Sequence, residues 1–171
     1  MTFYGARNRI NERLLEEERK RQNSPENIKG KLEKETIQQL QRVSQKLDEL
    51  WPSLRSEDPD SIRGIYTKIL DQQKSSTRHP QLVEKRNELA KVYEPYFTSL
   101  TTVLDYPFPD ILIEYFKYSG VDLVNLAKNM NEDIAKFTKQ DLTRNFTDNK
   151  FRLSGWTEKI SKTQIAIKAL L

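Results

Sequence analysis

Arg144, Phe146, Lys150, Phe151, Arg152 and Trp156 alternate cations with aromatic rings toward the carboxyl end of this 171-residue chain. Cations neutralise phosphates and displace their counterions, and rings stack on unpaired bases. The mixture is therefore chemistry for holding a polyanion, not for turning over a substrate. Lys139, Lys159 and Lys162 extend the block on both sides. A plainer reading competes with this one: rings are more often core than platform, and the lysines would then form the wet face of the same helices. A second patch lies at the other end, where Arg7, Arg9, Arg13, Arg19, Lys20 and Arg21 are offset by Glu12 and Glu16 to Glu18. A mixed-sign helix of this kind suits docking on a protein subunit. Phe3, Tyr4, Ile10 and Leu14 would supply the apolar grip, and charges such as Arg13 would set the orientation.

Little else offers reaction chemistry. The single histidine, His79, precedes Pro80 in a polar stretch without the partners a nucleophilic triad or a histidine metal site needs. Absence of cysteine removes disulfides, thiolate nucleophiles and cysteine-ligated metals. Gly5, Gly30, Gly64, Gly120 and Gly155 are too far apart for a phosphate loop or a dinucleotide fingerprint. Asp58 and Asp60 lack the glycine and terminal glutamate of a calcium loop and read as helix caps. Asp110, Glu114 and Asp122 lie among aromatics without the spacing of an acid–base pair. No enzyme activity, metal, cofactor or small-molecule substrate is expected.

Charge is sorted along the chain. Residues 91–135 hold three lysines against seven carboxylates, a net of −4, whereas residues 136–171 hold eight cations against three carboxylates, a net of +5. Such blocks suit an anionic partner, a complementary protein surface, or head-to-tail contact with a second copy. Overall the chain carries +4, with an isoelectric point near 9.2 and a mean hydropathy of −0.80. Apolar content of 36% against 32% charged is lean for a globule but normal for a helical protein with much wet surface. The longest apolar run is Ile111-Leu112-Ile113, too short to cross a bilayer, and no apolar run follows the first charges. These features predict a soluble, cytoplasmic protein that makes no membrane contact.

The elements that must position these residues read as helices. A charged arm over residues 6–22 carries the favourable pairs Glu16–Lys20 and Glu17–Arg21 and ends at Asn23-Ser24-Pro25. A helix over 28–51 places Leu40, Val43, Leu47, Leu50 and Leu54 on one stripe, with Trp51-Pro52 expected to close it. Asp58-Pro59-Asp60 opens the next, bearing Ile62, Ile65, Tyr66, Ile69 and Leu70, and Gln72 to His79 read as a loop. From Pro80 the 3/4 spacing runs to Leu104 with a kink or break expected near Glu94, ahead of Pro95. A hairpin pairing 98–103 with 111–117 is the alternative there. Pro109-Asp110 begins a helix ended by Gly120, Asp122 caps a short one to Met130, and another runs from about 131 to 146. Ser154-Gly155 punctuates the chain before a terminal helix over 157–171.

The fold expected is thus all-α: one bundle of six to eight helices with a protruding charged N-terminal helix. Residues 1–24 form the arm and 25–171 the bundle, whose last third, 136–171, is basic. The expected function is a non-enzymatic interaction or assembly protein that docks on a partner subunit, or on itself, through charged helical surfaces. The alternative is an accessory subunit of a nucleoprotein complex that follows the phosphate backbone of RNA or DNA without reading sequence.

Overall fold

Leu40, Val43, Leu47, Leu50 and Leu54, the stripe with the clearest 3/4 spacing, are all at most 2% exposed, and the rest of the bundle is arranged around them. In the computed structural model, residues 3–75, 79–139 and 153–171 are described, with side-chain environments for 9–71, 82–135 and 153–171. They form α1 (Phe3–Gln22), α2 (Pro25–Lys29), α3 (Lys34–Arg55), α4 (Ile62–Ser75), α5 (His79–Leu104), α6 (Asp110–Tyr118), α7 (Leu126–Lys139) and α8 (Leu153–Leu170). No strand occurs among the described residues, so the chain is an all-α bundle and residues 98–103 continue a helix instead of turning into a hairpin. Helix α3 packs on α4, α5 and α8; α5 in turn packs on α4 and α7; α2 touches α6 and α8.

Prolines that read as terminators do not terminate. Helix α3 passes through Pro52 to Arg55, and α5 passes through Pro95 without a break. An interior proline costs about 3 kcal/mol. Buried residues on both sides repay that cost: Leu50, Ser53 and Leu54 around Pro52, Tyr93, Leu100 and Val103 around Pro95. Burying one large apolar side chain is worth about 1.5–3 kcal/mol, so two or three of them hold the helix together. The same competition corrects Ser154-Gly155, which lies inside α8 between buried Leu153 and Trp156.

Other boundaries also moved. The helix expected over 28–51 is divided by Gly30 into α2 and α3. Helix α4 runs four residues into the expected loop, and α5 already begins at His79. The two helices expected on either side of residue 130 are one, α7, because Leu126, Ala127, Met130 and Ile134 form a single buried stripe with no breaker inside it.

Serine hydroxyls cap α2 and α4, whereas Glu33 before α3 and Pro109 before α6 make no side-chain cap bond. The Ser24 side chain accepts from the Asn27 backbone N–H at 3.3 Å. For α4 the capping residue is Ser61, which accepts from Gly64 N–H at 3.0 Å, while Asp58 instead closes the preceding turn by accepting from Asp60 N–H. Gly120, at φ +83°, ends α6 in a Schellman motif: Val121 N–H donates to Phe116 C=O at 2.8 Å and Gly120 N–H to Lys117 C=O at 3.0 Å. Between helices, Tyr115 donates its hydroxyl to Ala166 C=O at 2.7 Å and Gln39 Nε2 donates to Val103 C=O at 2.6 Å.

Candidate interaction surfaces

Helix α1 stands off the bundle, as its charge pattern predicts. Every residue from Arg9 to Gln22 is exposed, and the helix packs chiefly on the five-residue α2. Ile10, Leu14 and Leu15 are 58%, 58% and 61% exposed, the largest cluster of bare aliphatic side chains in a single element among the described residues. Arg13 is exposed beside them; for Phe3 and Tyr4 the backbone is helical. Twenty residues at 1.5 Å each make an arm of about 30 Å. Where the arm joins the bundle there is a cleft of about 610 Å³, lined by Arg19, Gln22 and Asn23 on one side and Ile111, Glu114 and Tyr118 of α6 on the other. Tyr118 is 43% exposed at this cleft.

The basic C-terminal block fares differently. Trp156 is 1% exposed, its ring 4.8 Å from that of Tyr93, and its Nε1 donates to Asp133 at 3.1 Å. An indole locked in the core has no free face for a base, so Trp156 is removed from the stacking residues. The Tyr93 hydroxyl, without a hydrogen-bond partner among the described residues, is pushed far up from its ordinary pKa, chiefly by its own burial and then by the Asp133 charge. Lys162 pairs with Glu158 at 3.0 Å. Lys159 is exposed but points away from Lys168: nine residues at 100° each put them half a turn apart, about 180°. Lys168 turns instead toward Asp48 of α3 at 3.8 Å, the same carboxylate that accepts from Gln164 at 2.7 Å. The cations of α8 thus do not form one stripe. Arg144, Phe146, Lys150, Phe151 and Arg152 lie outside the described residues, as does the side chain of Lys139.

A second cleft of about 610 Å³ went unread in the sequence. Trp51, Arg55, Arg63 and Tyr66 line it, with Ser154 and Glu158 of α8 opposite. The Arg55 guanidinium lies 5.2 Å from the centre of the Trp51 ring, a cation–π contact. Its signal was the four-residue spacing of Trp51 and Arg55, overlooked because Trp51-Pro52 read as a helix end. Among the described residues no group of three or more histidines and carboxylates is arranged to hold a metal ion, and no helix is long and apolar enough to cross a membrane. No family model, curated protein or solved structure matches the chain.

Proposed function

We propose that this chain is a non-enzymatic interaction protein that docks on a protein partner through α1. One observation carries the reading: a 20-residue helix whose side chains from Arg9 to Gln22 are all exposed, including Ile10, Leu14 and Leu15. Most helical stability in proteins comes from packing an apolar face, not from intrinsic propensity. An arm that finds so little packing on its own bundle is completed by another surface. The bundle then acts as the mount, with α2, itself packed on α6, holding the base of the arm.

The polyanion alternative loses support by comparison. Of its three rings Trp156 is buried and Phe146 and Phe151 lie outside the described residues, and of its lysines Lys162 pairs with Glu158 at the surface.

The test is photo-crosslinking in cells that express the protein, with benzoylphenylalanine replacing Leu14. A discrete adduct, lost when Ile10 is also changed to Asp, supports docking through the arm. No adduct from positions 10, 14 and 15, with adducts from α8 instead, would overturn it.

A further inference from the structure

The arm carries a second pattern besides its bare leucines. Phe3, Arg7, Ile10, Leu14, Glu17 and Arg21 follow one another at spacings of 4, 3, 4, 3 and 4 along the α1 backbone, which is the register of a two-stranded coiled-coil seam. The charges in that seam are ordered: a cation before the aliphatic pair, then an anion and a cation after it. Laid parallel and in register on a copy of itself, the helix would set Arg7 against Arg7, Glu17 against Glu17 and Arg21 against Arg21. Laid antiparallel about residue 12, it sets Ile10 against Leu14, Arg7 against Glu17 and Phe3 against Arg21, each layer occurring twice by symmetry. The apolar layers then coincide, the charged layers are opposite in sign, and a ring meets a guanidinium.

We infer that the partner of α1 is α1 of a second copy of this chain, joined antiparallel about residue 12. This rests on the docking role proposed above and names the occupant. The bundle permits it: all residues from Arg9 to Gln22 are exposed, and the arm extends about 30 Å. The two bundles would stand at opposite ends of the paired helices, where they do not collide. The register also brings Phe3 of the second copy level with Arg21, next to Gln22 at the cleft lined by Ile111, Glu114, Lys117 and Tyr118, a mixed polar and apolar surface. Arg13 meets its own symmetry mate beside the axis. This like-charge contact is eased by Glu17, four residues further along the same helix.

Sedimentation velocity of the full chain over a concentration series, with charge-reversal variants, tests the pairing. Arg7 and Glu17 of one helix are about 15 Å apart along its axis, too far to interact within one copy. Arg7→Glu alone and Glu17→Arg alone should each raise the dimer Kd by about tenfold, because two symmetry-related pairs become repulsive. The double reversal should restore it. Arg13→Ala should tighten the dimer and Tyr118→Asp should loosen it. The chain has no cysteine, so single cysteines report orientation directly. A mixture of Ile10→Cys and Leu14→Cys should form the crossed disulfide faster than either variant alone. A monomer at all concentrations, no rescue by the double reversal, or faster self-pairing of each cysteine variant overturns the second-copy assignment.

The photo-crosslink at Leu14 separates this failure from failure of the docking role. An adduct of twice the chain mass agrees with both. An adduct of any other mass keeps the docking role and sinks the second copy. No adduct from positions 10, 14 and 15, with adducts from α8 instead, sinks both.

Discussion

Gly64, Gly120 and Gly155 have the same side chain and three different environments, and substitution by alanine should separate them. A Cβ at Gly64 would collide with the Asp58 carbonyl oxygen, which forms part of the turn that α4 needs in order to begin. The backbone must shift, and we expect Gly64→Ala to cost at least the 1–3 kcal/mol or so typical of overpacking. At Gly120 there is room, but φ is +83°, so alanine should cost about 1–2 kcal/mol for the left-handed backbone. Nothing lies within 4 Å of a Cβ on Gly155, which is helical, so Gly155→Ala should stabilise by about 0.5–1 kcal/mol. Urea unfolding of the three variants checks the order. The tyrosines give a pH test. Burial raises both Tyr93 and Tyr115 above the usual value of 10.0. Below that pH both the folded and the unfolded chain hold these protons. Above it the unfolded chain releases them first, so stability should be fully present below about pH 10 and fall as pH rises further. Tyr93→Phe should flatten the fall and cost little at neutral pH, since the hydroxyl it removes has no partner. Tyr115→Phe should flatten it too, but lose about 1 kcal/mol with the bond to Ala166.

At the level of elements, α1 and α8 show opposite relations between pattern and packing. Replacing Ile10 and Leu14 together by Asp should leave the monomeric bundle within about 0.5 kcal/mol of its original stability, because those side chains pack on nothing inside it. Amide exchange along α1 in that variant should be fast, and chemical denaturation should detect no change in midpoint. Trp156→Ala in α8 should cost about 3–5 kcal/mol, since it removes a fully buried ring that packs on Tyr93 and bonds Asp133. The sequence showed that both segments were helical and charged. It showed that α1 would be wet but left open whether the Trp156 ring of α8 would be. Ile10 and Leu14 are two apolar residues in a run of charge, too few to hold a helix on a core, and that deficit was legible. Trp156 follows Arg152 at helical spacing, which is equally compatible with a platform and with a core anchor. Its contacts with Asp133 and Tyr93 come from α7 and α5, 23 and 63 residues earlier in the chain, and no local pattern encodes them.

For the whole molecule, the separation of arm and bundle should be visible in solution. A compact 171-residue chain has a radius of gyration of about 16 Å. The Ile10→Asp, Leu14→Asp variant, monomeric with its arm extended, should exceed that in small-angle scattering, and removal of residues 1–22 should bring it to about 15 Å. An unchanged radius would mean that the arm folds back on the bundle.

Periodicity alone determined the helical class, the charged arm, the α3 stripe and the Gly120 stop, because each depends on residues within two or three turns of one another. Composition and glycine spacing alone left the chain without cysteine and without a glycine-rich loop motif. Tertiary packing decided the rest. It carried helices through Pro52, Pro95 and Gly155, joined two expected helices into α7, buried Trp156 and turned Lys168 toward Asp48. The reason is energetic scale. Local preferences are worth about 1 kcal/mol, or about 3 for proline, while the burial of a few large side chains against distant helices exceeds either. Where those burials are many, as in α3, α5 and α8, the core overrules the local signal; where they are missing, as in α1, local pattern and solvent are all that remain.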